Sequence, residues 1–275
     1  MSDNDALHHD DPLAVAALAA EALAARSGVP RHDIALVLGS GWGGAAAELG
    51  EVVSEIPAEE IPGFSAPAVV GHGGKLTSIR VGDRHALVLG ARTHYYEGRG
   101  VRAVAHAVRT AAAAGARTVV LTNGCGSLRP EWLPGTPVLI ADHINLTGTS
   151  PLEGATFVDL TDLYSTRLRD LARTVDPTLD QGVYVQFRGP HYETPAEVQM
   201  AKRIGGDLVG MSTALEAIAA RHAGLEILGM SLVTNHAAGI SATPLSHEEV
   251  LEAGRDAASR LAGLLAAITR RILED

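Results

Sequence analysis

The sequence predicts an α/β fold in a single domain, with a mixed central β-sheet flanked by helices. Short apolar segments bounded by Gly, Asp or Asn alternate with Ala- and Leu-rich helical segments, and this alternation is typical of α/β proteins. No repeat, low-complexity block or Pro/Ser-rich linker divides the 275 residues, which are enough for a sizeable core. We therefore expect a disordered acidic N-terminus over residues 1–11 and one domain over residues 12–275.

The elements follow from apolar periodicity and from the residues at their ends. Segment 13–26 is rich in Ala and Leu and predicts a helix that Gly28 ends, and the apolar segment 34–38 predicts a buried strand. Further strands are predicted at 75–81, 85–91, 118–123, 137–143, 182–187, 206–211 and 225–235. Further helices are predicted at 101–115, 194–205, 212–224 and 246–273.

Composition excludes several classes of partner and favours one compartment. The net charge is −10 and no run of Lys and Arg forms a basic face, so nucleic acid and anionic membranes are not expected partners. The chain has one cysteine, which permits no internal disulfide and suits a reducing compartment. The acidic start lacks the features of a signal peptide, and no apolar run is long enough for a membrane span. We expect a cytoplasmic protein.

The glycine-rich stretch 37–44, VLGSGWGG, contains the GxGxxG spacing of dinucleotide-binding folds. Such a fold needs a helix of several turns after the glycines and an acidic residue about twenty positions on. Only AAAEL precedes Gly50, and no clear strand leads to Glu59 and Glu60. We interpret the stretch either as a tight turn or as an anion site made of backbone N–H groups and the Ser40 hydroxyl.

Cationic and polar side chains recur where the predicted strands end. In open α/β sheets, ligands bind beyond the carboxyl ends of the strands. A guanidinium, two imidazoles, a hydroxyl and bare backbone N–H groups together suit a phosphate, although each residue alone has a surface or core role as its alternative. No HExxH motif occurs and the histidines are isolated by spacing, so we expect no metal site. The candidate residues are Ser40, His72, Arg92, His94 and the segment 123–126.

A second group of polar residues suits a planar base. Glu193 precedes a predicted helix and could accept N–H bonds from a base while Tyr192 packs against its face, with a structural carboxylate as the alternative. Asn235 ends an apolar strand, and its amide can donate and accept at once, which suits a purine edge. Ser212 opens a helix, either as a phosphate ligand or as a plain N-cap. His247 begins the last helix, where a surface role is the default.

Nine segments, taken in order, resemble the purine nucleoside phosphorylases of the trimeric class. The resemblance spans about residues 34 to 255, and GPHYETPAE and GMST are its most specific motifs. It implies a nucleoside phosphorylase-like fold and the reversible phosphorolysis of inosine, guanosine and their 2′-deoxy forms to free base and pentose 1-phosphate, in purine salvage. It also implies a homotrimer with no cofactor, in which inorganic phosphate is a co-substrate. The segments are GSGWGG, GHGGKL, ARTHYYEG, TNGCGS, DHINLTG, GPHYETPAE, GMSTALEAIAARH, SLVTNHAAGI and SHEEVLEAG.

The same resemblance implies a role for each matching residue. The residues implied to bind phosphate are Ser40, His72, Arg92, His94, Gly124 through its backbone, and Ser212. Those implied to bind ribose are Tyr96, Met211 and His247. Those implied to bind the base are Cys125, Gly126, Tyr192, Glu193 and Asn235, with Asn235, Glu193 and His94 catalytic. Phe157 resembles the aromatic residue that closes the site of a neighbouring subunit.

Three alternative functions differ from this reading at particular residues. Glu193 as an acceptor for N1–H favours 6-oxopurines, because adenine lacks that hydrogen. Methylthioadenosine phosphorylases resemble this chain in the phosphate loops but carry Asp at the position of Asn235 and replace the hydroxyl-binding His, so Asn235 with His247 favours inosine and guanosine. A non-catalytic nucleoside- or phosphate-binding protein is the second alternative. A dinucleotide oxidoreductase, suggested by the glycine spacing, is the third.

Overall fold

The computed structural model describes residues 11–65, 74–240 and 247–275. The helices of this part are α1 Pro12–Ser27, α2 Ala45–Leu49, α3 Gly100–Ala113, α4 Thr166–Val175, α5 Pro195–Arg203, α6 Ala214–His222 and α7 His247–Glu274. Its strands are β1 Ile34–Val37, β2 Glu51–Pro57, β3 Lys75–Val81, β4 Arg84–Leu89, β5 Thr118–Ser127, β6 Pro137–Asn145, β7 Asp180–Gln186, β8 Leu208–Gly210 and β9 Glu226–His236.

These nine strands form one mixed sheet, which confirms the predicted fold class. Its strand order is β2-β3-β4-β1-β5-β8-β7-β6-β9. Strand β9 also pairs with β5, so β5, β8, β7, β6 and β9 close into a ring of five strands. Strands β4, β1, β5 and β9 run parallel to one another. Their carboxyl ends therefore meet at one edge, as the sequence interpretation required.

Both faces of the sheet are covered by helices. In β1, Ala35 and Val37 belong to a buried cluster with residues of α1, α3 and α6. The alternate residues Ile34 and Leu36 belong to a second cluster with residues of α2, α4 and α7. Since successive side chains of a strand point to opposite faces, both faces of β1 are apolar and the strand reads as a continuous hydrophobic run.

Strand β2 and helix α4 were missed by the sequence interpretation. Strand β2 lies at the sheet edge, where most of its side chains are exposed, so its apolar pattern is weak. Helix α4 buries only Leu168, Leu171 and Ala172. Asp11 was expected in the disordered N-terminus, but its carboxylate accepts a hydrogen bond from the Leu13 N–H and caps α1.

Strand β2 does lead to Glu59 and Glu60, contrary to the expectation that no strand reaches them. It runs antiparallel to β3 and lies three positions from β1 in the sheet. In a dinucleotide-binding fold, the strand that leads to the acidic residue lies parallel to the first strand and beside it. The position of β2 therefore argues against dinucleotide binding more strongly than the sequence did.

None of the helices within these described ranges is long and apolar enough to cross a membrane.

Candidate active site

A cavity of about 140 Å³ opens at the sheet edge where β1, β4, β5 and β9 end. It gathers residues from segments that are far apart in the sequence. Most of the residues singled out from the sequence line it. The lining residues are Ser40, Arg92, His94, Tyr96, Asn123, Gly124, Cys125, Gly126, Tyr192, Glu193, Val209, Gly210, Met211, Ser212, Thr234, Asn235 and Ala237.

The glycine stretch after β1 is shaped by the protein's own side chains. A Cβ on Gly39 would lie 2.5 Å from the carbonyl oxygen of Thr122 and 2.7 Å from Nη1 of Arg92, so only glycine fits there. Trp42 is 1% exposed, and its Nε1 donates a hydrogen bond to the Asn123 carbonyl at 2.9 Å. The stretch is thereby fixed against β5, and it places Ser40 at the cavity.

Arg92 is the buried cation of the cavity. Its Nε donates to Oε1 of Glu216 at 3.0 Å, and its Nη1 donates to the Thr122 carbonyl at 2.6 Å. Nη2 is buried and has no hydrogen-bond partner among the described residues. A buried guanidinium N–H without a partner costs free energy, so this group is suited to an anionic ligand. The sequence interpretation did not identify Glu216.

His94 is held by its neighbour Glu97 and stacks on Tyr96. Oε1 of Glu97 accepts from the His94 backbone N–H at 2.7 Å and lies 3.2 Å from His94 Nδ1. Burial alone would raise the pKa of Glu97, but these hydrogen bonds outweigh it and the pKa is lowered. The His94 and Tyr96 rings lie 4.8 Å apart and nearly parallel. Glu97 therefore stays ionised and fixes the imidazole at the cavity.

A β-bulge in β9 directs Asn235 into the cavity. Cys125 pairs with Val233 and Gly126 with Asn235, so Thr234 is the extra residue. The Thr234 hydroxyl donates to Oδ1 of Asn235 at 2.8 Å, and Nδ2 of Asn235 donates to the His236 carbonyl at 3.0 Å. Each amide atom keeps one further hydrogen-bonding position for a ligand. The sequence placed Asn235 as the last residue of a strand, and β9 continues one residue further, to His236.

Strand β5 also continues further than the sequence predicted. Pairing with β9 carries it through Gly124, Cys125 and Gly126 to Ser127, so these residues lie within a strand and not beyond its end. Cys125 is buried, and burial raises the pKa of its thiol to about 12. The thiol is thus a small apolar wall of the cavity and carries no charge.

Glu193 is a buried carboxylate that also lines the cavity. It is 7% exposed, and its Oε1 has no hydrogen-bond partner in the described part of the chain. Burial raises the pKa of its carboxyl. Helix α5 follows directly and is anchored by a capping box between Thr194 and Glu197. Tyr192, beside it, is 41% exposed at the cavity rim.

Ser212 lies at the cavity. One interpretation of the sequence made it the N-cap of α6, and this is wrong. The N-cap is Thr213, whose backbone has φ 79° and ψ −51°. The Ala214 N–H donates to the Ser212 carbonyl at 3.0 Å across this residue, which makes a tight three-residue turn. Met211 precedes the turn and also lines the cavity.

Three of the predicted site residues are not placed at the cavity. His72 lies outside the described residues, and so does the side chain of His247, although α7 does begin at residue 247. Phe157 does not line the cavity and is 93% exposed. In the ranges that the structure describes, no three His, Cys, Asp or Glu residues are grouped as metal ligands.

The cavity therefore combines two kinds of chemistry. Arg92, Ser40, Ser212 and the backbone of Gly124 can hold an anion. Glu193 and Asn235 offer a carboxylate acceptor and an amide, which match the polar edges of a purine. Tyr96 and Met211 also line the cavity and offer it less polar surface.

Comparison with known proteins gives the same family in sequence and in structure. The model of the phosphorylase superfamily matches residues 33–270. A purine nucleoside phosphorylase from Cellulomonas sp is 69% identical over 266 residues, which cover 95% of this chain and 94% of the relative. Two Schistosoma mansoni purine nucleoside phosphorylase structures also match. Isoform 2 with cytosine and ribose-1-phosphate has a TM-score of 0.85 at 32% identity, covering 94% and 96% of the two chains. The complex with inosine has a TM-score of 0.84 at 31% identity, with the same coverage.

Proposed function

The chain belongs to the purine nucleoside phosphorylases of the phosphorylase superfamily, and we propose that it catalyses the reversible phosphorolysis of purine nucleosides. Its substrates are inosine, guanosine and their 2′-deoxy forms, and its products are the free base and (deoxy)ribose 1-phosphate. The observation that carries this proposal is one cavity whose lining includes the anion-binding groups Arg92, Ser40 and Ser212 together with Glu193 and Asn235, whose carboxylate and amide match a purine.

In the proposed reaction, a phosphate oxygen forms a bond to the anomeric carbon as the bond from that carbon to N9 of the base breaks. The base leaves with the bonding electron pair and takes up a proton. Positive charge develops on the sugar and negative charge on the base, as in other glycosidic cleavages. The phosphate stabilises the sugar cation. The groups that hold the phosphate in this proposal are Arg92, His94, Ser40, Ser212, His72 and the backbone of Gly124.

Asn235 and Glu193 act on the base in this proposal. Nδ2 of Asn235 donates to O6, and its Oδ1 accepts from N7 when the departing base takes up its proton there, so the amide stabilises the charge that develops on the purine. A preorganised donor of this kind contributes on the order of 3 kcal/mol to lowering the barrier. The Glu193 carboxylate accepts from N1–H, which selects 6-oxopurines. Tyr192, Cys125 and Gly126 frame the base, and Tyr96, Met211 and His247 contact the ribose.

We propose that inorganic phosphate is the only additional small molecule needed and that no metal or organic cofactor takes part. Activity should then survive dialysis against EDTA and should depend on added phosphate. Loss of activity with the chelator and its return with a divalent cation would overturn this part. The free thiol of Cys125 supports a reducing compartment such as the cytoplasm, where the enzyme would serve purine salvage.

A homotrimer is part of the proposal. Phe157 is a large apolar side chain that is almost fully exposed, and such exposure supports a contact with another subunit. Light scattering after size exclusion should give the mass of three chains. Phe157→Ala should raise the nucleoside KM at unchanged fold if the residue closes a neighbour's site. A monomeric wild-type protein would contradict this assignment.

Phosphate dependence tests the proposed reaction directly. Inosine, guanosine, adenosine and methylthioadenosine are each incubated with the protein, with and without phosphate, and base release is followed by chromatography. We expect hypoxanthine and guanine only when phosphate is present. Adenine release from methylthioadenosine would keep phosphorolysis but overturn the base site. Binding without turnover would indicate a binding protein, and release without phosphate would indicate a hydrolase.

A further inference from the structure

Glu216 is a buried carboxylate that connects two segments of the cavity wall. It is 1% exposed and lies in the first turn of α6. Its two oxygens bind different partners: Oε1 accepts from Arg92 Nε at 3.0 Å, and Oε2 accepts from the Thr213 backbone N–H at 2.9 Å. Arg92 follows β4 and Thr213 follows β8. One side chain thus joins two loops that reach the cavity from opposite directions.

On the first side, Glu216 completes the fixation of the Arg92 guanidinium. The Thr122 carbonyl holds Nη1 at 2.6 Å, and Gly39 leaves the space that Nη1 occupies. Because Nε also donates to Glu216, two of the three guanidinium nitrogens are hydrogen-bonded. These two bonds fix the orientation of the planar guanidinium group. The buried Nη2, which has no partner among the described residues, is the nitrogen that remains for a ligand.

On the second side, Glu216 holds a backbone conformation that threonine rarely adopts. Thr213 has φ 79°, and a β-branched residue in this region persists only where its surroundings enforce it. Two contacts do so: the Glu216 carboxylate on the Thr213 N–H, and the Asn123 amide, which donates to Thr213 Oγ1 at 2.9 Å. The turn places Ser212 at the cavity, with its hydroxyl 3.2 Å from Thr213 Oγ1.

The charge of Glu216 also fits this position. Arg92 and Glu216 are 2% and 1% exposed at their side chains and form an ion pair. A buried charge without a partner is strongly unfavourable, so the pair keeps the guanidinium in place when no anion is bound. A glutamate at the third position of a helix that only capped the helix would need neither to be buried nor to pair with a cation. Glu197 is such a residue, since it caps α5 through the Thr194 N–H at 2.7 Å, is only half-buried and forms no ion pair with a cation among the described residues.

We infer that Glu216 is a positioning residue for the phosphate co-substrate. It fixes Arg92 and the Ser212–Thr213 turn relative to each other, so that the guanidinium and the hydroxyl meet one anion with no rearrangement. This inference rests on the proposed function, because it assigns Glu216 to the phosphate end of that site. Glu216 is expected to affect phosphate far more than nucleoside, since its partner Arg92 is held at Thr122 of β5, whereas Asn235 pairs with Gly126, further along the same strand.

Glu216→Gln is the decisive variant. A carboxamide has one acceptor oxygen, so its NH₂ must face either Arg92 Nε or the Thr213 N–H, both of which are donors. We expect the KM for phosphate to rise at least about tenfold and the KM for inosine to change by less than about threefold. Phosphate alone should raise the melting temperature of the variant less than that of the wild type, a readout that does not depend on turnover.

Glu197→Gln is the matched control, because it makes the same carboxylate-to-carboxamide change in the first turn of α5, where one acceptor oxygen is enough for the Thr194 N–H, and it does not touch Arg92. Its KM for phosphate should equal that of the wild type. If Glu216→Gln does not fold, Glu216→Asp is measured by the same criteria, since it keeps the charge and shortens the reach.

An unchanged phosphate KM in a folded Glu216 variant, or an equal rise in both KM values, would overturn the inference. Loss of folding in both variants would also contradict it, since it would mark Glu216 as a purely structural residue. A wild-type protein that needs no phosphate would instead contradict the proposed function itself.

Discussion

Gly126 and Asn235 lie opposite each other in β5 and β9, so close that a side chain at position 126 would have to displace its neighbours. A Cβ on Gly126 would stand 3.3 Å from Nδ2 of Asn235, 3.1 Å from Val209 and 3.4 Å from Ala237. Asn235 is fixed from its other side by Thr234 and by the His236 carbonyl. The amide therefore cannot retreat without losing a hydrogen bond.

Gly126→Ala should displace the Asn235 amide and lower kcat for inosine by about tenfold, because misplacing a preorganised donor weakens transition-state stabilisation. The phosphate KM should stay near the wild-type value. Steady-state kinetics with each substrate varied in turn will measure this. Gly263→Ala is the control, since Gly263 is exposed in α7 with open space around its Cβ position. It should leave kinetics unchanged, whereas equal effects of both substitutions would contradict the assignment of Gly126.

Glu193→Gln should reduce discrimination against adenosine. A carboxylate accepts from N1–H of a 6-oxopurine, whereas a carboxamide can also donate to the unprotonated N1 of adenine. We expect kcat/KM for inosine to fall at least about tenfold and the adenosine-to-inosine ratio to rise by a similar factor. Glu197→Gln, four residues on, half-buried and outside the cavity lining, should change neither. A ratio that stays constant in Glu193→Gln would place the base elsewhere in the cavity.

The KM for inosine should rise as the pH is lowered. Burial raises the pKa of the Glu193 carboxyl above its ordinary value of 4.5, so the carboxylate takes up a proton at a higher pH than an exposed glutamate would. The protonated form is a weaker acceptor for N1–H. Steady-state kinetics across the acid range should show this rise in the KM for inosine in the wild type, and Glu193→Gln should lack it. An identical rise in the KM for inosine in both proteins would mean that another group titrates, such as phosphate itself.

His32 should make the free energy of unfolding depend on pH. Burial and the nearby His85 lower its pKa from 6.5 to about 4, against an opposing effect of Asp33, and Nε2 lies 2.9 Å from the Ser78 hydroxyl. The unfolded chain binds a proton at this residue near pH 6.5 and the folded chain only near pH 4. The contribution of neutral, buried His32 to the free energy of unfolding is therefore complete above pH 6.5, and it is lost as the pH falls toward 4.

At pH 5 the loss from His32 amounts to about 2 kcal/mol relative to neutral pH. Urea unfolding at both pH values, compared between the wild type and His32→Gln, isolates this amount, because other titrating groups are common to both. His191→Gln, an exposed histidine, should retain the wild-type dependence. A His32→Gln protein that loses as much stability as the wild type would refute the prediction.

The sequence was sufficient for the fold class and for most of the cavity lining. Strands such as 34–38 have apolar runs with clear ends, and Arg92 and Asn235 stand close to those ends, so their meeting at one edge follows from parallel pairing. The ring closed by β5 and β9 was not predictable, because it depends on a pairing between distant segments and on the bulge at Thr234.

Glu216 and Thr213 escaped the sequence interpretation for a related reason. A glutamate three positions after a threonine near a helix start is a capping signature, and nothing local shows that an arginine more than a hundred residues earlier approaches the same carboxylate. The left-handed backbone of Thr213 is equally hidden, since threonine is a residue that disfavours it. Edge strand β2 was missed because exposure removes the apolar pattern by which strands are found.

Strands β5 and β9 pair over their full lengths, for example Asn123 with Ser231, although about a hundred residues separate them in the chain. Pairing across so long a loop is slow, because the loop entropy is lost before the contacts form. The cavity needs this pairing, since Gly124, Gly126 and Asn235 line it together. On refolding from denaturant, helical signal should therefore return before catalysis does, and recovered turnover reports that the whole chain has reached its native topology.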